Sequence, residues 1–263
     1  MQTQIKISVL TDNHAGSFFP AEHGLSYLIE YDGKKILFDT GQSDMFLRNA
    51  EKLNAGLDNT DMTVLSHGHF DHGNGLAFLP GGKLVCHPGC FVRRFRGQDG
   101  TYIGLGMTEE EISSKFDLKT SADPLQISGK IIFLGAIPRI TDFESRKTTF
   151  RFEDGTADFV EDDSALAVIL PEGLFIISGC GHSGIVNTCE YARKITGISK
   201  LHGIMGGFHL KTTATPTRET IKYLSETGAK HVFPSHCTEL PALAAFYEAF
   251  AIRQIKTGDV LVF

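Results

Sequence analysis

Apolar and polar residues alternate with a period of two at several places along the chain, which predicts β-strands. The alternation begins at Ile5, Ile7 and Val9 and returns in the segment LSYLIEYDGKKILFDTG. In that segment Asp32 and Gly33 separate two apolar runs, which is a strong signal for a tight β-hairpin. The short segment DMTVLS predicts a further strand that ends just before a histidine-rich sequence. The chain therefore begins with β-structure.

The second half of the chain alternates strand patterns with helix patterns. Strands are predicted in SALAVIL, LFIIS, LHGIMGG, KHVFPSH and DVLVF. One helix begins near Gly184, a second is bracketed by Pro216 and Gly228, and a third covers LAAFYEAF. Residues from about 86 to 130 are irregular and charged, apart from a short helix predicted in TEEEISSKF, so we expect an insertion over one face. No repeat or linker interrupts residues 1–263, which predicts a single α/β domain.

Composition and charge exclude several classes of function. With 263 residues, of which 41% are hydrophobic, the chain is typical of a globular protein. A formal net charge of −6 gives no basic surface for nucleic acid. There is neither a signal-peptide pattern nor an apolar run long enough to cross a membrane, so we expect a cytoplasmic protein without a membrane partner. The five cysteines are scattered, which favours reduced thiols over a disulfide framework.

The histidine-rich sequence SHGHFDHGNGL is the strongest chemical signal. It places His67, His69, Asp71 and His72 within six positions, a spacing expected by chance in only about one chain in a thousand of this composition. Imidazole nitrogen combined with carboxylate oxygen suits zinc, iron or manganese better than calcium or magnesium. Residues 67 and 69 can point the same way from an extended segment, while 71 and 72 turn back toward a helix. The pattern predicts one or two divalent metal ions, with zinc preferred and iron or manganese as alternatives.

Three further histidines follow predicted strands later in the chain. These are His182 after LFIIS, His209 after LHGIMGG and His236 after HVFPS. Each of them alone is more typical of a surface or hydrogen-bonded histidine. Because sites in layered α/β proteins collect at the carboxyl ends of strands, we expect these three to converge on the cluster.

Several segments resemble a known family. FDTG at 38–41, SHGHFDHGNGL, the strand-end His182 and PSHC at 234–237 are similar to the ordered signatures of the metallo-β-lactamase superfamily, over almost the whole chain. AEHGLSYLIE, ILFDTGQS, AIPRITDFE, GCGHSGIVN, GGFHL and FPSHCT most resemble its dihydropterin ribofuranosylaminobenzene phosphate synthase-like branch. The resemblance implies a four-layer αββα sandwich: two mixed β-sheets packed face to face, helices outside, and a metal site at one edge.

The resemblance also implies roles for individual residues. The ligands it assigns are His67, His69 and His182 for one metal, and Asp71, His72 and His236 for the other. Asp39 would orient the ligands and the turn without touching metal. Many members of the superfamily carry a bridging aspartate just after the LFIIS-type strand, whereas this chain has Cys180 there. A thiolate could ligate or bridge zinc or iron, or Cys180 could be a small buried apolar residue, which leaves a site for one metal as the alternative.

These residues predict a hydrolase or a related transferase that acts on a phosphate-containing small molecule, pterin-like or nucleotide-like. Hydroxide generated on the metal near neutral pH would be the attacking group. Asp71 is a candidate proton acceptor, and His209 a candidate substrate binder, general acid or additional ligand. Two alternatives stay open. One is an iron-dependent redox enzyme with the same ligands, and the other is a non-catalytic, metal-stabilised module that binds a ligand.

Contacts to an anionic substrate are predicted at scattered basic residues. The candidates are His23, Arg139 and His209, together with Arg93, Arg94 and Arg96 of CFVRRFRG. A solvated surface or an ordered loop is the competing interpretation for each of them. A G-x-G-x-x-G motif from 179 to 184 resembles a dinucleotide fingerprint, but no acidic residue follows about 20 positions later. What the motif retains is a helix N-terminus that could favour an anionic group.

Overall fold

The computed structural model describes residues 4–263. Its strands are β1 Lys6–Thr11, β2 Ser26–Tyr31, β3 Lys34–Phe38, β4 Met62–Val64, β5 Gly82–Cys86, β6 Arg94–Arg96, β7 Phe116–Thr120, β8 Leu125–Gln126, β9 Ile131–Phe133, β10 Phe150–Phe152, β11 Ala157–Asp158, β12 Ala165–Leu170, β13 Gly173–Ser178, β14 Leu201–Gly207, β15 His231–Ser235 and β16 Val260–Val262. Its α-helices are α1 Met45–Lys52, α2 Phe70–Gly73, α3 Glu109–Lys115, α4 Ile185–Thr196, α5 Thr215–Glu226 and α6 Leu240–Phe250, and two 3₁₀ helices cover Asn74–Phe78 and Pro88–Phe91.

Both large sheets are mixed. In the seven-stranded sheet the order is β16-β1-β2-β3-β4-β5-β7, with antiparallel pairing from β16 to β3 and parallel pairing from β3 to β7. The six-stranded sheet has the order β15-β14-β13-β12-β9-β8, and β13, β14 and β15 are parallel. A small sheet, β11-β10-β6, lies apart from these two.

The two large sheets pack face to face with helices outside, because alternate residues of each strand enter different cores. Phe38 and Ile177 belong to the core between the sheets. Ile176 belongs instead to an outer core that also contains residues of α4, α5 and α6. On the other side Phe46 of α1 packs with Leu37 in the outer core of the seven-stranded sheet. The αββα sandwich expected from the resemblance is confirmed.

The predicted hairpin is confirmed in detail. Asp32 and Gly33 have φ angles of 52° and 68°, and Tyr31 pairs with Lys34 across the two-residue turn. Two consecutive left-handed residues match the twist of antiparallel strands, which is why this dipeptide is favoured at such turns. None of the helices in residues 4–263 is long and apolar enough to cross a membrane.

Residues 86–130 differ from the expected irregular insertion. They contain α3, which begins with a capping box formed by Thr108 and Glu111, but they also contain β7, which pairs parallel with β5 at the edge of the seven-stranded sheet. Within β7 only Phe116 is buried. Because an edge strand buries so few side chains, its sequence shows little apolar alternation and is easily taken for a loop. Helix α1 was likewise not predicted.

The carboxyl ends of the parallel strands form the rim at which the predicted site residues lie. Asp39 follows β3, and the segment 66–72 follows β4, in the seven-stranded sheet. Residues 179–184 follow β13, His209 follows β14 by one residue, and His236 follows β15 directly, in the six-stranded sheet. The topology therefore brings residues that are distant in sequence to one edge of the sandwich.

Candidate metal centre

One group of buried side chains consists of His67, His69 and His182. Nε2 of His67 lies 2.9 Å from Nδ1 of His69. The ring of His182 is 4.9 Å from both of these rings, centroid to centroid. One nitrogen from each residue lies within 4.8 Å of the other two. We call this set the first ligand group; it has the size of a single metal site.

A second ligand group consists of Asp71, His72 and His236. Nε2 of His236 lies 3.4 Å from Oδ2 of Asp71 and 3.0 Å from Nε2 of His72. The remaining separation, from Nε2 of His72 to Oδ2 of Asp71, is 3.8 Å. All three residues are buried. Because α2 begins directly after His69, the chain turns there. His67 and His69 therefore lie near His182, whereas Asp71 and His72 lie near His236.

Cys180 lies between the two ligand groups. Its Sγ is 3.3 Å from Nε2 of His72, and it lies within 4.8 Å of ligand atoms from His67 as well as from His236. Burial raises the pKa of the Cys180 thiol well above its ordinary value. A cation at this position would favour the thiolate form over the thiol.

Asp39 orients His72 of the second ligand group through a direct contact with its ring. Its carboxylate accepts hydrogen bonds of 2.7 Å from the backbone N–H and from the hydroxyl of Ser66. It also lies 2.7 Å from Nδ1 of His72. With Nδ1 held by the carboxylate, Nε2 of His72 is left facing the other ligands. Asp39, Ser66 and His72 are fully buried, so the contacts are shielded from water.

The loop between His67 and His69 is fixed by a residue that sequence reasoning missed. Asp162 accepts a 2.7 Å hydrogen bond from the backbone N–H of Gly68 and a 2.8 Å bond from Nη2 of the buried Arg94. A Cβ at Gly68 would lie 1.9 Å from the carbonyl oxygen of Cys90, so only glycine fits. Arg94, expected as a contact for an anion, is therefore used to position this loop.

His236 is oriented by Asn13, also missed in the sequence. Asn13 Oδ1 lies 2.9 Å from Nδ1 of His236, and its Nδ2 donates to the His236 carbonyl at 3.1 Å. Asn13 follows β1 in the polar segment TDNH, so the rule that favoured strand-end histidines also points to it. At the mouth of the site, Nε2 of His23 lies 3.2 Å from Oδ2 of Asp71, with the His23 side chain 56% exposed.

His209 lies beside the first group. Its ring centroid is 4.4 Å from that of His182, and its backbone N–H donates to the Cys237 sulfur at 3.3 Å. Within residues 4–263, Nδ1 of His209 is buried without a hydrogen-bond partner, as are Nε2 of His69 and Nε2 of His182. A buried polar atom without a partner costs about 1–3 kcal/mol. Coordination of a cation would satisfy such nitrogens, and imidazole, carboxylate and thiol together suit zinc or iron.

Burial also sets the protonation of the first group. Removal from water lowers the pKa of His67, His69 and His182 well below the ordinary value, and repulsion from neighbouring histidines lowers it further. The neutral imidazole is the form that binds metal. Burial raises the pKa of Asp71. Attraction to His72 and hydrogen bonds from His23 and His236 outweigh burial and hold this pKa well below its ordinary value. Both groups thus contain ligands in the reactive form near neutral pH.

His236 is the exception, because a cation bound by the second ligand group would have to displace its proton near neutral pH. Burial lowers its pKa, but the hydrogen-bonded carboxylate of Asp71 outweighs burial and raises the pKa to about 9. Its proton must therefore leave when a cation binds at neutral pH. We expect zinc affinity at the second group to rise about tenfold per pH unit from about pH 7 to pH 9 and to level off above that.

Calorimetric zinc titrations in buffers of different ionisation enthalpy would count the released protons. The variant His236→Ala removes the group that titrates and should flatten the dependence, whereas His231→Ala, on the amino end of β15, should leave it intact. An affinity of the native chain that does not change between these pH values would contradict the assignment.

The ligand groups open into a cleft of about 490 Å³. His23, Arg96, Phe150 and Lys211 are among its lining residues, so Arg96 is the arginine of CFVRRFRG that reaches the cleft. Arg139 does not line it; its guanidinium donates to Ser145 Oγ and to the carbonyls of Phe159 and Val160. Arg139, expected to bind substrate, instead ties two loops together.

The N-terminus of α4 is also used differently from the expectation. The buried carboxylate of Glu144 accepts hydrogen bonds of 2.9 Å from the backbone N–H groups of Val186 and Asn187. A Cβ at Gly184 would lie 2.4 Å from this carboxylate. The anion at this helix end is thus a side chain of the protein, and the glycine motif serves close packing rather than the binding of a phosphate.

Comparisons with known proteins agree with this architecture. Residues 20–87 match the family model described as the Metallo-beta-lactamase superfamily. The 7,8-dihydropterin-6-methyl-4-(beta-D-ribofuranosyl)-aminobenzene-5'-phosphate synthase of Methanocaldococcus jannaschii is 35% identical, over 98% of this chain and 97% of that protein. An uncharacterized protein of the same organism is 36% identical, over 90% of this chain and 92% of that protein.

A solved structure is similar over its whole length. It is described as a metal-dependent hydrolase of the beta-lactamase superfamily, and it is 30% identical with a TM-score of 0.87, covering 98% of each chain. The chain therefore belongs to the metallo-β-lactamase superfamily. The resemblance to the synthase branch is confirmed by the relative of that name.

Proposed function

We propose that this protein is a metal-dependent hydrolase, or a related transferase, that acts on a phosphate-containing small molecule. The observation that carries the proposal is the pair of ligand groups at one rim of the sandwich. In each group the ligand atoms of three buried residues lie within 4.8 Å of one another. Cys180 lies between the groups. Two such groups side by side suit a pair of divalent ions, with zinc preferred for this mixture of nitrogen, oxygen and sulfur.

The proposed ligands are those of the two groups, with Cys180 as a candidate bridge. When bound, the ions supply Lewis acidity and make hydroxide available from water near neutral pH. Asp71, in addition to holding metal, accepts a proton at its carboxylate, which already has the hydrogen-bond partners His23 and His236. His209, beside the first group and facing the cleft, binds substrate or delivers a proton to the leaving group.

The substrate class rests on the cleft and on a relative. Arg96 and Lys211 give the cleft two cations beyond its histidines, and both suit the oxygens of a phosphate. The synthase of Methanocaldococcus jannaschii is named for a compound that contains a pterin and a phosphate. A phosphate-bearing, pterin-like or nucleotide-like molecule is therefore the substrate class we propose.

The test is an assay of the zinc-loaded protein on phosphomonoester, phosphodiester and thioester substrates. The variant His69→Ala removes one ligand of the first group, and we expect it to lose at least about a hundredfold in kcat/KM. His231→Ala is the matched control and should keep full activity, because His231 lies at the amino end of β15, away from His236 at its carboxyl end. Equal activity of the native chain and His69→Ala on every substrate that is turned over would contradict the proposal.

A further inference from the structure

A second cavity, of about 530 Å³, adjoins the cleft of the metal centre. It lies between the segment 143–150 and the start of α5. The residues that line both spaces are Thr149, Phe150, His182, His209 and Lys211. Because His182 belongs to the first ligand group, a molecule in this cavity would lie next to the metal centre. We call this space the side cavity.

The side cavity has aromatic walls. Its lining includes Phe143, Phe150, Phe159 and Phe208. Phe150 is also set edge-on to the ring of His69, with centroids 5.0 Å apart, and His69 itself does not line the side cavity. Phenylalanine rings attract another ring in offset or edge-on contact, beyond the effect of burying its area. This lining favours a flat, unsaturated ligand over a sugar or an alkyl chain.

Cationic side chains line the side cavity. Arg146, Lys147 and Lys211 line the side cavity, and within residues 4–263 Lys147 makes no hydrogen bond or ion pair. Lys211 is 3.9 Å from a carboxylate oxygen of Glu239, with both side chains more than half exposed, a pairing that contributes little. The carboxylate among the lining residues, Glu144, is held by the backbone of α4. The guanidinium of Arg146 also donates to the carbonyl of Thr141. The side cavity is therefore lined by three cationic residues, of which Lys147 has no partner in residues 4–263, while its own carboxylate is already occupied.

We propose that the side cavity is a binding site for an aromatic or heteroaromatic ring that carries a phosphate group. The ring lies among the four phenylalanines, and Arg146, Lys147 and Lys211 bind the phosphate. The inference rests on the proposed function only for the statement that the opposite end of the bound molecule reaches the metal centre. With ring and reacting group in adjoining spaces, the site suits an extended substrate, or two substrates brought together for a transfer.

The test measures equilibrium binding of two probes to the zinc-loaded protein by calorimetry. Naphthalene-1-phosphonate carries a ring and resists hydrolysis, whereas methylphosphonate has a similar head group and no ring. We expect Lys147→Ala and Arg146→Ala each to weaken binding of the naphthalene probe about tenfold, as for the loss of one charge-assisted hydrogen bond. Methylphosphonate reaches the same cations but lacks the ring, so it should bind more weakly than the naphthalene probe and lose affinity by a similar factor in both variants. Lys222→Ala, an exposed lysine of α5 outside both cavities, is the matched control.

Two further variants separate this proposal from the proposed function. Phe159→Leu should weaken the naphthalene probe severalfold and leave methylphosphonate unaffected. His69→Ala, which impairs the metal centre, should retain binding of the naphthalene probe within about threefold, since His69 does not line the side cavity. The proposal is overturned if Lys147→Ala, Arg146→Ala and Lys222→Ala all bind the naphthalene probe like the native protein. It is also overturned if only His69→Ala loses that binding, which would place the probe at the metals.

Discussion

Replacing Asp71 by alanine is expected to lower kcat/KM by about a thousandfold or more, a larger loss than we expect for His69→Ala. The reason is that Asp71 contributes the carboxylate of the second ligand group, where its Oδ2 lies 3.4 Å from His236 and 3.2 Å from His23. The same carboxylate is the proposed proton acceptor. One substitution therefore removes a metal ligand and a catalytic group together. Steady-state kinetics and the zinc content of the purified variant measure the two losses separately.

Asp44→Ala is the matched control for that experiment. Asp44 precedes α1 and pairs with the exposed Arg48, so its loss should change neither activity nor zinc content. The variant Asp71→Asn keeps the size of the side chain and one oxygen, and should recover part of the zinc content but little of the activity. If Asp71→Ala turned over substrate within about tenfold of the native protein, Asp71 would be neither ligand nor proton acceptor.

Replacing Asp39 by alanine is expected to lower the free energy of unfolding by about 3–5 kcal/mol, the size reported for leaving buried polar partners uncompensated. Its carboxylate accepts from the backbone and hydroxyl of Ser66 and from His72, each at 2.7 Å. All of these groups are buried, so water cannot replace the lost acceptor. Since His72 would lose the contact that orients it, zinc affinity should also fall about 10–100-fold. Urea denaturation measures the first effect, and competition with a chelator the second.

Asp39→Asn keeps one carboxamide oxygen for Ser66 and should cost less than half as much. Asp61→Ala serves as the control for loss of an aspartate that accepts a backbone hydrogen bond outside the site; its Oδ2 accepts from the Lys35 N–H at 2.8 Å. An Asp39→Ala protein that unfolds at the same urea concentration as the native chain, with unchanged zinc affinity, would show that this buried contact does not support the centre.

The sequence predicted the strands and helices whose residues repeat regularly. The alternation in SALAVIL and LFIIS corresponds to β12 and β13, and the bracket of Pro216 and Gly228 corresponds to α5. These elements bury one face or both, so apolar residues recur along them at the regular spacing of a strand or a helix. Edge strand β7 buries only Phe116 and leaves no such period.

For the candidate site, the histidines at strand ends could be predicted because topology alone brings the ends of parallel strands together. Contacts that depend on how loops fold against each other could not. Asp162 binds the backbone of Gly68 across 94 positions, and Glu144 binds the start of α4 across more than 40. No local sequence pattern marks such a pair. The sequence around an arginine such as Arg139 likewise does not show whether its guanidinium binds a substrate or a loop carbonyl.

The central claim is that side chains from both sheets share cations at one rim of the sandwich. Anomalous diffraction at the zinc edge, from crystals of the zinc-loaded protein, tests it most directly. We expect one peak about 2.0–2.2 Å from nitrogens of His67, His69 and His182, and a second at the same range from Asp71, His72 and His236. Zinc bound only elsewhere on the protein, or no peak near either group in fully loaded crystals, would contradict the account.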